Sequence, residues 1–219
     1  MDTLLLQLLA PMQSWGVQSL HGERDSGLEP SKSGVVGLLC AALGRERAEP
    51  LHDLAALRMG VRVDREGTLQ SDFHKAEPLD AAGLPGTNSK VFIGQRSYLA
   101  DAAFLVGLEG DLLLLQTLQT ALRDPVYLLY LGRKAFPPAS SLCLPDGLRQ
   151  GLGLAEALRA YPALARSAPI RRRVLLEDPR GEILVNDQPV SFAQRLFAPR
   201  RAHLDYWTFS EEAPCTSPN

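Results

Sequence analysis

Apolar and polar positions change period several times along this chain, and each change predicts an element. TLLLQLLA, from Thr3 to Ala10, is apolar, short and stopped by Pro11, which predicts a buried strand. Pro11 to Pro30 scatters Gly, Pro, Ser and Asp through a polar stretch and predicts a long irregular loop. SGVVGLLCAALG is apolar on every side, which predicts a fully buried helix capped by Ser33 and ended by Gly44. From Met59 to His74, Val61 and Val63 alternate with polar residues, Glu66-Gly67 supplies a turn, and Leu69 and Phe73 resume the alternation; this predicts a hairpin. Lys75 to Lys90 holds two prolines and two glycines and predicts a mobile excursion.

Strand-like segments return over 91–110. Leucines at helical spacing behind an acidic residue predict a helix over Asp111 to Asp124. YLLYLGRKAFPPASSL predicts a strand or turn followed by a loop, and LRQGLGLAEALRAY a short helix. IRRRVLLEDPRGEILVND predicts a hairpin around Asp178 to Gly181, and AQRLFAPRRAHLDYWTF forms a basic, aromatic closing segment. Strand, helix, hairpin, strand, helix, strand is an α+β order, not a parallel series of β-α-β units.

The length of 219 residues and 45% apolar content suffice for a real core in one large domain or two small ones. A net charge of −2 gives no global hint of a nucleic-acid partner. Charge is uneven, however: between Arg166 and Trp207 eight arginines face five carboxylates, so one face can still be basic. Cys40, Cys143 and Cys215 lie far apart, which implies a reducing compartment without a disulfide framework. The first apolar run is too short to cross a bilayer and lacks a basic leader; the expectation is a cytoplasmic protein with no membrane partner.

The strongest chemical motif is PSKSG ahead of the buried helix. It departs from a Walker A loop, because Ser31 stands where a glycine is needed and Pro30 sits inside the loop. An ATP-type enzyme built on Lys32 is therefore disfavoured. Lys32 and the free amides of a helix start would still suit an anion, against the plainer reading of a solvated lysine beside a capping serine. The four histidines show no metal-ligand spacing, and no cofactor is expected. His74 with Tyr98 is the credible acid–base pair for a metal-independent ribonuclease. LGRKAF places Arg133 and Lys134 on a loop, and the closing segment interleaves Arg195, Arg200 and Arg201 with Phe197, Tyr206 and Trp207, a combination suited to single-stranded RNA.

Several segments in this order, LLLQLLAPMQSWG, PSKSGVVGLLCAALG, DFH, RSYLADAAFLVGL, YLGRKAFPP and QRLFAPRRAHLDYW, resemble the CasD family of type I-E CRISPR Cascade subunits, within the repeat-associated (RAMP) superfamily. The resemblance runs from Leu4 to about Trp207; APMQSWG followed by PSKSGVVGLL, and YLGRK, are its specific blocks. It implies a ferredoxin-like (RRM-related) core over 1–125, with a β-hairpin thumb inserted at about 72–97. A C-terminal β-rich part over 126–209 would pack on that core, ahead of a frayed tail at 210–219. It implies a non-catalytic subunit in antiviral defence that caps the 5′ handle of the guide crRNA. The Cascade large subunit and backbone subunit would be its neighbours, and target DNA would be met indirectly through the complex. The RNA-facing residues would be Gln13, Ser14, Trp15, Arg24, Lys32, Ser33, His74, Arg96, Arg133 and Lys134. The competing expectation is an endoribonuclease that processes CRISPR repeat RNA.

Overall fold

A computed structural model of the chain describes residues 1–16, 23–77, 91–165 and 168–210. Its centre is a seven-stranded sheet. The apolar opening run forms β1 (Asp2–Leu9), antiparallel to β7 (Ala103–Gly110) on one side and to the edge strand β8 (Cys143–Arg149) on the other. β4 (Arg58–Arg65) lies outside β7, followed by β9 (Arg171–Glu177), β11 (Leu196–Thr208) and β10 (Ile183–Ser191) at the far edge. Strands from beyond residue 125 thus extend the sheet at both edges.

α1 (Lys32–Leu43) and α3 (Leu112–Arg123) cover one face. The alternation of β1 explains this: Leu4, Leu6 and Leu8 point into the cluster with both helices, whereas Leu5 points to the opposite face. α1 is apolar all round because it is buried between the sheet, α3 and β10. Its N-cap is Ser31, two residues earlier than the predicted Ser33: the Ser31 hydroxyl accepts the Gly34 N–H at 3.3 Å, and Ser33 already lies inside the helix. Gly44 closes it at φ 76°, with Arg45 N–H on Cys40 O at 2.9 Å. α3 starts from the Asp111 carboxylate, which accepts the Leu113 and Leu114 amides.

The opposite face is covered by α4 (Leu154–Ala160), which can approach because Gly60 and Gly107 are register partners beneath it. A Cβ on either would meet a leucine side chain of α4 at 2.8 Å. α2 (His52–Ala55) is a single turn before β4.

Both predicted hairpins are corrected. Gly67 does make the turn, at φ 73°, but β4 stays in the large sheet while β5 (Thr68–Ala76) pairs with β6 (Phe92–Ala100) in a second sheet. The Asp178 to Gly181 turn also exists, closed by Gly181 N–H on Asp178 O at 2.9 Å, yet β11 is inserted between β9 and β10. In both cases the local turn chemistry was readable, but the partner strand was chosen elsewhere in the chain. The predicted excursion also begins later than Lys75, because Lys75 and Ala76 pair with Ile93 and Phe92; its remainder at 78–90 lies outside the described residues.

The second sheet hangs on β6. β5 occupies one edge, and β2 (Met12–Gln13) and β3 (Glu23–Arg24) share the other. No helix among the described residues is long and apolar enough to cross a membrane.

Candidate nucleic-acid interface

The PSKSG segment does hold an anion at its helix start, but the anion belongs to the protein. The Lys32 amide donates to Asp187 Oδ2 at 2.6 Å, and Asp187 also accepts Arg200 Nε at 2.6 Å and Nη2 at 2.9 Å. The Lys32 ammonium, 1% exposed, sits on both oxygens of Glu177 at 2.9 and 2.8 Å. Burial pulls that ammonium below the ordinary lysine range, and Glu177 pulls it back up. This corrects the assignment of Lys32 to an RNA phosphate: its charge and its amide are taken by carboxylates from β9 and β10. Ser33 is half-buried, with its hydroxyl 3.4 Å from that of Ser31.

Gln13 and Trp15 are also turned inward. The Gln13 amide donates to Leu8 O at 3.1 Å and Ala102 O at 2.9 Å, and its oxygen accepts the Trp15 indole at 3.2 Å. That exhausts the Gln13 amide donors. Trp15, 1% exposed, packs on Gly34, where a Cβ would meet its ring at 3.0 Å. Neither can face RNA as a stacking platform or hydrogen-bonding edge in this arrangement. They brace the segment instead: Trp15 N–H donates to Ser26 Oγ at 3.0 Å, and Trp15 O accepts the Gly27 amide at 2.8 Å, which ties down the stretch carrying Arg24.

The remaining predicted cations do come together. β3 runs parallel to β6 with Arg24 opposite Arg96, and β5 places Asp72 opposite Arg96 on the other side. Directly opposed like charges are unfavourable neighbours. Arg133 joins them from the loop after α3. Its guanidinium pKa is lowered, first by burial and then by Arg96 and Arg24, with Asp72 opposing. Arg133 Nη2 donates to Ser97 O at 2.8 Å, and its guanidinium lies 5.5 Å from the Phe136 ring centroid. Among the described residues no carboxylate forms an ion pair with Arg24, Arg96 or Arg133. Lys134 is exposed beside this cluster, and His74 is half-buried on β5, opposite Gly94. Three guanidiniums beside a single carboxylate, Asp72, and without an ion pair among the described residues form a cradle for an anion.

The closing segment buries side chains on both faces of the sheet, since Arg200 and Trp207 stand seven positions apart. Arg200 and Trp207 point inward, with the indole donating to Asp205 Oδ2 at 2.8 Å, while Arg195, Phe197, Arg201 and Tyr206 are exposed. What sequence reading missed is the register that sets Arg24 beside Arg96, a pairing of segments with no local signal for each other. Among the described residues no group of three or more metal-ligand residues occurs.

The family model described as CRISPR-associated protein (Cas5) matches residues 3–203. The Cascade subunit CasD of Escherichia coli (strain K12) is 29% identical over 217 residues, covering 90% of this chain and 92% of that protein. A crystal structure of a Cas protein is 46% identical, covers 94% of this chain and 95% of its own, and superposes with a TM-score of 0.78. A chain of a CRISPR RNA-guided surveillance complex is 33% identical, with 94% and 90% covered and a TM-score of 0.77.

Proposed function

From the fact that this chain belongs to the CRISPR-associated Cas5 family, we propose that it is the non-catalytic RNA-binding subunit of a type I-E Cascade surveillance complex, capping the 5′ handle of the guide crRNA. The observation that carries this reading is the cluster of Arg24, Arg96 and Arg133, three cations beside one carboxylate, Asp72, and without an ion pair among the described residues. Phosphate contacts of this kind supply affinity and orientation, and a subunit locked in a complex needs one basic groove, not a basic surface. A near-neutral net charge is compatible with that.

The topology supports the ferredoxin-like core. β1, α1, β4, β7, α3 and β8 follow in chain order, and their strands stand as β4-β7-β1-β8, all antiparallel, with both helices on one face. The β5–β6 hairpin then serves as the thumb. One of its faces carries exposed Leu69, Phe73 and Ile93, suited to the neighbouring backbone subunit, and the other carries Arg96. The large subunit docks beside it in the cytoplasm, and target DNA is met through the assembled complex.

The ribonuclease reading is weaker. His74 pairs with Gly94 and Tyr98 lies four residues further along β6, roughly 13 Å away along the strand. That separation does not favour the pair for acid–base work on one scissile phosphate.

The test is capture of tagged protein from its own host, with sequencing of the bound RNA. Short RNAs sharing one 5′ repeat-derived tag, recovered with other Cascade subunits, are expected. Recovery of the subunits without RNA refutes the capping role. Cleavage of added repeat RNA by the same sample in EDTA, lost in His74→Ala, refutes the non-catalytic one.

A further inference from the structure

The two most specific blocks of the sequence, APMQSWG and YLGRK, are far apart along the chain, and the fold brings them into contact at one backbone group. β2 pairs with β6 at Leu99 and Ala100, and β3 pairs with it at Gln95 and Arg96. Ser97 and Tyr98 fall in the gap between those two short strands. The Ser97 carbonyl would be left without a ladder partner on that edge. It is taken twice: by the Ser14 hydroxyl at 3.2 Å and by Arg133 Nη2 at 2.8 Å. The Ser14 amide in turn donates to Leu131 O at 3.1 Å, and the loop closes on itself through Leu131 N–H on Phe136 O and Phe136 N–H on Arg133 O, both at 2.8 Å.

Between these bonds stands Gly132, at φ +88°. A Cβ there would lie 1.7 Å from Ser14 O and 2.7 Å from Ser14 C, both backbone atoms that cannot rotate away. Only glycine tolerates both the dihedral and the approach. The contact fixes the distance between the two blocks, and the next residue along is Arg133. Of the five N–H groups on that guanidinium, a single one is used by a hydrogen bond to the described residues.

The geometry points to Ser14 and Gly132 as positioning residues that hold the Arg133 guanidinium beside Arg24 and Arg96, so that an RNA phosphate meets a fixed fork and not a floating charge. This rests on the RNA-capping reading above. It also gives Ser14 a role without exposing it: at 6% exposure it acts through Arg133 and does not itself touch RNA. The fork matters because a guanidinium matches a phosphate bidentately, whereas a lysine in its place is a point charge.

The consequence is a separation of affinity from salt dependence. The number of phosphates neutralised sets the salt slope, and geometry does not. A labelled synthetic RNA carrying the 5′ tag read from the captured guide is titrated into the full chain at several salt concentrations. Arg133→Ala is expected to weaken binding and to reduce the slope by about 0.7. Ser14→Ala and Arg133→Lys are each expected to weaken binding about fivefold with the slope retained. The double variant is expected to bind no worse than the weaker single one, because both remove the same geometry. Gly132→Ala carries a risk to folding, so the decision rests on Ser14→Ala, which deletes one hydroxyl.

Binding by Ser14→Ala within about 1.5-fold of the unmodified chain, while Arg133→Ala still loses affinity and slope, overturns the positioning role and leaves the capping role standing. Additive losses in the double variant, or a slope that falls in Ser14→Ala, overturn it equally. Unchanged binding in Arg133→Ala, by contrast, removes this face from the RNA altogether and refutes the reading on which the inference rests.

Discussion

Replacing Lys32 by methionine separates a structural lysine from a phosphate-binding one. Methionine keeps the length and apolar stem of the side chain and deletes the ammonium, which occupies both Glu177 oxygens. Removing one member of a buried ion pair costs about 3–5 kcal/mol, because the other is left charged and less well solvated. Here the lower end applies. Glu177 keeps the Met59 amide at 3.1 Å and has Arg200 Nη1 at 4.0 Å, and its side chain is 18% exposed. A loss of about 3 kcal/mol in a chain of this size lowers the melting temperature by roughly 6–12 °C. That is compatible with a folded protein at 25 °C if its total stability is in the usual range of about 5–15 kcal/mol. The assay pairs thermal unfolding with RNA titration at several salt concentrations at 25 °C. The expected result is a lower midpoint with an unchanged salt slope. A slope reduced by about 0.7 with the midpoint unchanged would refute the reasoning and return Lys32 to the RNA.

Two further predictions follow from charge placement. Arg24→Ser and Arg96→Ser each relieve a like-charge neighbour, so each is expected to leave the RNA-free protein as stable or more stable by about 0.5 kcal/mol, while weakening RNA capture; clear destabilisation of the RNA-free protein by both would show that the cluster is structural. Asp53 is held down to about 2 from 3.8, chiefly by its hydrogen bonds from Arg45, so its stabilising effect is present above about pH 3.8 and disappears as pH falls through about 2. With 31% of that side chain exposed, screening reduces the effect to about 1 kcal/mol, and the stability difference between the unmodified chain and Asp53→Asn is expected to shrink between pH 4 and pH 2 in urea titrations; a difference constant down to pH 2 contradicts it.

Elements whose signals are local were legible. The strand from Asp2 to Leu9, the first buried helix (its cap misplaced by two residues, at Ser33 for Ser31), the helix that opens at Asp111, the left-handed stop at Gly44 and the turns at Gly67 and Asp178 to Gly181 each depend on a few neighbouring residues. Capping and turn chemistry act over three or four positions, so they leave their mark in any short window. The same holds for the basic character of Arg133 and Lys134 on their loop.

Strand partners were not legible in that way. Nothing near Gly67 says that β5 leaves the sheet of β4, and nothing near Gly181 says that β11 slips between β9 and β10. Those choices depend on which apolar faces compete for cover across the whole chain. The fate of charge follows the same rule. Lys32 reads identically whether its partner is water, a phosphate or Glu177, and that carboxylate is 145 residues away along the chain. Arg24, Arg96 and Arg133 carry no mark of one another, yet they meet because β3 and the YLGRK loop converge on the same edge of β6. The sequence by itself determined the opening strand, the two long helices, the turns and the inventory of cations. Only the tertiary structure decided which cations are consumed inside the protein and which are left for a partner, because burial and pairing are properties of distant segments brought together.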